Sequence, residues 1–263
     1  ISIDDALELA GGWSTFQWRL LCCLGGCMAF ASAHMLCPIF LIPRMMESWH
    51  LTAGASSLQA SVFFAGYIAG VVLWAGISDR RGRRPATNMA FAIGNLSGIA
   101  SFFAPSYATF VALRFVCGVG VAGAKNGCFL IATEFAPPNA RARVGALISY
   151  LWLGGLLYLV VAAWVLRSLA WRWLVLAYVP GLVAQYLLNS LLPESPRFLL
   201  VAGEADRAHL VLLNIFRTNG RRPPAPMVLR RPPPAAAGAS GGREGGGAAS
   251  AAASFCELWR RGL

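Results

Sequence analysis

Six apolar runs, near residues 20–42, 57–77, 86–105, 108–133, 144–166 and 173–192, dominate this chain. Each is close to the roughly 20 residues that a helix needs to cross a hydrocarbon core. Lipid offers no water to a stray N–H or C=O, so such runs must close their hydrogen bonds internally, as helices. The expected fold is an all-α membrane protein, a bundle of six transmembrane helices. The charge content agrees. Only 13% of residues are charged, against roughly 25% in soluble domains.

The formal net charge is +11, a value that also suits nucleic-acid binding. Here, however, the basic residues lie in short loops and a tail rather than along one face, so no nucleic-acid partner is expected. Their distribution fits membrane topology instead. Arg80, Arg81, Arg83 and Arg84 crowd the 2–3 loop, Arg141 and Arg143 the 4–5 loop, and Arg197 follows the sixth run. Arg44, Arg167 and Arg172 mark the opposite side. The heavier set is read as cytoplasmic, which puts both chain ends inside an integral, multi-pass protein of the plasma membrane or a vesicle. Trp13, Trp18, Trp49, Trp171 and Trp173 at the run ends form the aromatic belt.

Outside the runs, residues 1–19 read as a cytoplasmic N-terminal segment, and 193–220 as a motif followed by a short helix. Residues 221–253 read as a disordered Pro/Gly/Ala/Ser-rich linker, and 254–263 as the approach to a second half. No signal peptide is expected, because acids (Asp4, Asp5, Glu8) precede a first run that is too long. The chain begins at Ile1, so the true N-terminus is expected upstream. Cys23 and Cys27 lie one helical turn apart but have no histidine or acid at metal spacing. No metal, cofactor or disulfide framework is expected.

The loop Ala75-Gly-Ile-Ser-Asp-Arg-Arg-Gly-Arg-Arg-Pro85 resembles the signature between helices two and three of the major facilitator superfamily, Gly-x-x-x-Asp-Arg-x-Gly-Arg-Arg. Asp79, Arg80, Gly82, Arg83 and Arg84 match, and Ala75 stands at the first glycine. Pro193-Glu-Ser-Pro-Arg197 is similar to the motif after helix six of sugar porters. Glu134 with Arg141 and Arg143 resembles the pattern after helix four. The opening around Asp5 and Phe16, the Ala170–Trp173 turn and the arginines at 260–261 are most similar to synaptic-vesicle-two-related proteins, neighbours of the organic-ion transporters. The resemblance implies the N-terminal half of a major-facilitator fold, secondary transport such as symport, and a C-terminal six-helix half absent from this chain. It also implies an acid in helix one, where this chain has Phe30-Ala-Ser-Ala-His-Met35 and none. That departure weakens carboxylate-based proton coupling and cation binding.

The charged groups can be read directly. Asp79, Glu134 and Glu194 share the cytoplasmic helix ends with Arg80, Arg83, Arg84, Arg141, Arg143 and Arg197. Buried pairs there would form a latch that breaks when bundles rock apart; the plainer reading is surface pairs worth little. Gly118-Val-Gly-Val-Ala-Gly123 fits a dinucleotide fingerprint but lies inside an apolar run without a preceding strand. Small residues at that spacing bring helices close instead.

On the same helix Arg114 and Lys125 fall about 20° apart on one stripe at ~100° per residue. Arg114, near the outer end, has a snorkelling path. Lys125 is too deep for that and is expected either to face a water-filled cavity or to pair with an acid of the other half. His34, the only ionisable interior group of helix one, reads as a proton carrier or a neutral core histidine. Tyr67, Asn126, Tyr150, Trp152 and Tyr158 are candidate cavity walls.

No catalytic constellation appears, so an enzyme is not expected. The expected function is transport of a small organic solute, anionic or zwitterionic, across a lipid bilayer. The alternative is a truncated, non-transporting membrane interaction protein.

Overall fold

The computed structural model describes residues 1–224 and Leu229. The expected linker (221–253) and the final segment (254–263) lie outside the described residues, apart from 221–224 and Leu229. Among the described residues there is no strand.

The first run is longer at both ends than 20–42. It comprises α2 (Thr15–Leu36) and α3 (Pro38–Trp49), which follow a short α1 (Ile3–Leu9). The break at Cys37 has a local cause. Pro38 has no N–H to give the carbonyl of His34 four residues back. The ladder resumes around it, with Cys37 N–H donating to Ala33 O at 2.9 Å and Leu41 N–H to Cys37 O at 3.1 Å.

Thr52 caps α4 (Ala53–Arg81), its hydroxyl accepting from Ala55 N–H. α5 (Arg83–Ala100) follows after a single residue, Gly82, at φ +105°. That conformation is strained for any residue with a Cβ. α6 (Tyr107–Glu134) is capped by Ser106, and α7 is Arg141–Val165. The sixth run is not the continuous helix expected over 173–192. It folds as α8 (Trp171–Val175), a 3₁₀ turn (Leu176–Tyr178) and α9 (Pro180–Leu191). Pro180 cannot continue a helix but suits the start of one.

Among the described residues four segments are long and apolar enough to cross a membrane: Thr15–Trp49, Gly54–Arg81, Tyr107–Glu134 and Pro138–Val165. The other two of the expected six fall short of that standard. α5 opens on two arginines and carries Asn88, Asn95 and Ser97, and α8–α9 is interrupted.

Glycine sets the spacing of the bundle. α6 packs closely against α4 and α5. A Cβ on Gly70 of α4 would sit 2.5 Å from Val119 O, and one on Gly118 would collide with the carbonyl of Phe63. On another face of α6, Gly120 abuts the backbone of Gly94, and Trp74 Nε1–H donates to Val119 O at 2.9 Å. Between α2 and α7, Gly155 leaves no room for a Cβ beside Ala29 O. Close backbone contact of this kind holds helices together where lipid removes the hydrophobic drive between them.

At the end that carries Gly82, α1 joins α10 (Pro196–Val201) and α11 (Ala205–Thr218) in one layer. Ile3, Ala6 and Leu7 share a buried cluster with Leu199, Leu200, Leu212, Ile215 and Phe216. Asn219 stitches the layer to α2. Its Oδ1 accepts from Phe16 N–H and its Nδ2 donates to Ala10 O, both at 2.9 Å. Segments 1–19 and 193–220, separate in the sequence reading, are thus one structural unit. At the opposite end, Arg44 donates to Leu166 O at 3.3 Å and Arg172 to Ala104 O at 3.1 Å. Two of the three arginines there close helix-end carbonyls.

Candidate functional site

Glu194 organises the arginine-rich end. Its Oε1 accepts from the backbone N–H groups of Arg83 (3.0 Å), Arg84 (3.2 Å) and Ser195 (2.9 Å). A carboxylate from beyond the sixth run therefore caps the N-terminus of α5, where orphan amides and the helix dipole favour negative charge. A Cβ on Gly82 would collide with this carboxylate, so the loop needs glycine for space as well as for its backbone angle.

Arg83 then bridges two acids. It meets Asp79 at 2.5 Å and Glu134 at 3.4 Å, and its guanidinium lies 5.7 Å from the Phe198 ring centre. Asp79 is 71% exposed, whereas the Arg83 and Glu134 side chains are 18% and 12% exposed. The Asp79 pair is thus a screened surface contact, and the part-buried weight falls on Glu134 and Glu194. Arg141 and Arg197 do not reach those acids. Both converge on Asp4 of α1, Arg141 at 2.7 Å and Arg197 more closely. Among the described residues Arg80 and Arg143 have no ion-pair partner; both are exposed. Asp4 was missed as a network member, although the acidic opening of the chain was visible.

Glu194→Ala should remove the carboxylate oxygen that accepts from three amides. The expected loss is about 2 kcal/mol, read as a lowered thermal midpoint in detergent. Faster hydrogen exchange should be confined to the start of α5 and to Ser195.

Deeper in the bundle, three predicted residues meet. Lys125 Nζ of α6 lies 4.8 Å from the ring centre of Trp152 (α7) and 5.8 Å from that of Tyr67 (α4). All three side chains are half-buried, and the adjacent Asn126 is exposed. Among the described residues no acid lies within ion-pair distance of Lys125. It is also the only lysine among the 22 basic residues of the chain. The two rings are held from behind, since both pack on the buried cluster of Ala31, Phe63, Cys117 and Val121. Tyr150 is exposed, while Tyr158 donates to Ala177 O at 2.9 Å.

Arg114 and His34 do not join that face. Both are 1% exposed. Arg114 does not snorkel: its Nη2 donates to His34 O at 2.5 Å, and its guanidinium sits 4.9 Å from the Phe63 ring centre. The acceptor is the carbonyl that Pro38 leaves free. His34 Nε2 lies 2.9 Å from Asn95 Oδ1 and its Nδ1 3.6 Å from Cys117 Sγ, and its ring stacks on Tyr178 at 3.8 Å. An amide oxygen only accepts, so Nε2 carries a proton and Nδ1 is the atom left to face the thiol. Among the described residues no group of histidines, cysteines and acids could hold a metal ion.

Residues 22–255 match the Major Facilitator Superfamily. The chain is 34% identical over 223 residues to the Synaptic vesicle 2-related protein of Bos taurus, an alignment that covers 84% of this chain and 40% of that protein. It is 31% identical over 230 residues to Organic cation/carnitine transporter 7 of Arabidopsis thaliana, covering 85% and 44%. The chain therefore spans well under half the length of these relatives. Among solved structures it resembles a partially occluded inward-open form of the xylose transporter XylE from E. coli, with a TM-score of 0.68 at 20% identity over 77% of this chain and 54% of that one. A XylE structure bound to 6-bromo-6-deoxy-D-glucose gives a TM-score of 0.65 at 23% identity over 78% and 50%. With its glycine-spaced helices and arginine-rich loop, the chain belongs to the major facilitator superfamily.

Proposed function

We propose that this chain is one six-helix half of a secondary transporter that moves a small organic solute bearing a carboxylate or similar anionic group. The observation that carries the reading is Lys125, a half-exposed ammonium deep in the bundle, flanked by two rings and without an acid at ion-pair distance among the described residues. A charge in that position defaults to a functional role because it is costly to keep in a membrane. Solute binds between two such halves, near the midplane, and α4, α6 and α7 supply part of one wall. The Gly82 end, with its surplus of arginine, faces the cytoplasm. There Glu194 and the Arg83–Glu134 pair tie α5 to α6 and to the segment after α9, as one element of the latch that alternating access needs.

In proteoliposomes containing the complete transporter, Lys125→Ala should cut uptake of labelled monocarboxylates about tenfold or more, the worth of one desolvated charge-assisted contact. Uptake of neutral sugars should change little. Equal loss for both classes would overturn the anionic reading.

A further inference from the structure

We infer that Lys125 is a resident plug in an aromatic cage that would otherwise bind an organic cation, and that this single side chain sets the charge selectivity of the cavity. Two ring faces within about 6 Å of a cationic centre are the recognition device for quaternary ammonium ligands. Here Trp152 and Tyr67 supply both faces, at 4.8 and 5.8 Å from Nζ, from different helices. The lysine does not create that geometry. Both rings rest on Ala31, Phe63, Cys117 and Val121, a buried cluster drawn from α2, α4 and α6. The cage therefore persists when the lysine is shortened.

The choice of lysine fits the same role. Every other basic residue in the chain is arginine, whose planar fork suits carboxylates and carbonyls. Arginine also lies over rings here, at Phe63 and Phe198, but the compact ammonium of lysine on its flexible stem is nearer in shape to a methylated amine. With the plug in place, a second cation meets like charge and occupied ring faces. A carboxylate meets N–H donors at the open side. The inference rests on Lys125 facing the solute cavity, and it adds that the cavity is a cation site converted to the opposite preference.

The test uses the intact chain in phosphatidylethanolamine/phosphatidylglycerol nanodiscs, since choline headgroups would compete. The probes are labelled tetramethylammonium and, in a parallel arm, labelled benzoate. Wild type should show no saturable tetramethylammonium binding in the low millimolar range. Lys125→Ala and Lys125→Ser should bind it at least about tenfold more tightly, and adding Trp152→Leu should remove the gain. Lys125→Met, which refills the cage without charge, should stay silent.

A measurement on the unmutated fold stands beside these. Reductive methylation with [13C]formaldehyde labels amines, Lys125 being the only lysine of residues 1–263, and its resonance is assigned by its loss in Lys125→Ala. The Lys125 dimethyl resonance should lie upfield of free dimethyllysine through ring currents, and should return towards it in Trp152→Leu. The inference is overturned if the open variants keep wild-type helical circular dichroism yet bind tetramethylammonium no better than wild type. An unshifted dimethyl resonance overturns it equally. Gain of tetramethylammonium binding without any benzoate binding by wild type upholds the cage and sinks the anionic reading. The reverse result upholds the anionic reading and sinks the cage.

Discussion

Gly120→Ala is expected to lower the stability of the bundle by about 3 kcal/mol, the upper range for forcing atoms into a packed interior. The added methyl would lie 2.6 Å from Gly94 Cα and 2.7 Å from Ala90 O. These are backbone atoms of α5, and no rotamer change moves them aside. α5 must back away, which loosens Thr87 from Gly127 of α6 and draws Ala86 and Ala90 away from Trp74 of α4. Gly120→Leu should prevent assembly altogether. The control is Gly154→Ala on α7, where nothing lies within 4 Å of the new Cβ. There stability should hold or rise slightly, because alanine restricts the unfolded chain. Thermal unfolding in detergent, with size-exclusion profiles for assembly, separates the two. Equal effects at both positions would mean that the α5–α6 approach is not what glycine secures.

The small-residue spacing on α6 was legible in the sequence, and so was its meaning. Lipid-crossing length and glycine at close intervals are local properties, and local properties survive in a linear pattern. The helix breaks were half legible. Pro38 announced a disturbance in the first helix, yet hydropathy alone ended that helix too early, because α3 continues with Pro43, Arg44 and Glu47 in its span. Hydropathy likewise ran straight through Pro180, since an apolar run reads the same whether or not a 3₁₀ turn divides it.

Partner choice was the illegible part. Asp79 stands beside the arginines in sequence and proves the exposed member of the network, while Asp4 joins Arg141 and Arg197 across 137 and 193 residues. Glu194 reaches Arg83 from 111 residues away. Charge at a helix end says that pairing is available; only the fold says with whom. The same limit applied to the α6 stripe. Periodicity put Arg114 and Lys125 on one side of the helix, but α2, broken at Cys37, covers Arg114 and leaves Lys125 half-open.

Arg114→Ala is expected to cost about 4 kcal/mol, and the origin of that cost can be dissected. Among the described residues Arg114 heads the largest fully buried side chains, so truncation leaves a cavity as well as an orphaned carbonyl. Arg114→Met keeps most of the volume and isolates the polar part. Two effects then oppose each other. Removing a desolvated cation is favourable, whereas leaving His34 O without a donor costs about 1–3 kcal/mol. The charge is better accommodated than an isolated ion. It lies at the C-terminal end of α2, where the helix dipole is negative, and over the face of Phe63. The carbonyl should therefore decide the sign, and Arg114→Met should destabilise. The decisive comparison adds Pro38→Ala, which restores the amide that an unbroken helix would offer His34 O. In that background Arg114→Met should cost about 1–2 kcal/mol less than in the Pro38 protein, a coupling readable from a double-mutant cycle of unfolding in mixed micelles. Strict additivity would show that the guanidinium does not substitute for the amide that proline lacks. In that case the position of Arg114 would follow from the ring and the helix end alone.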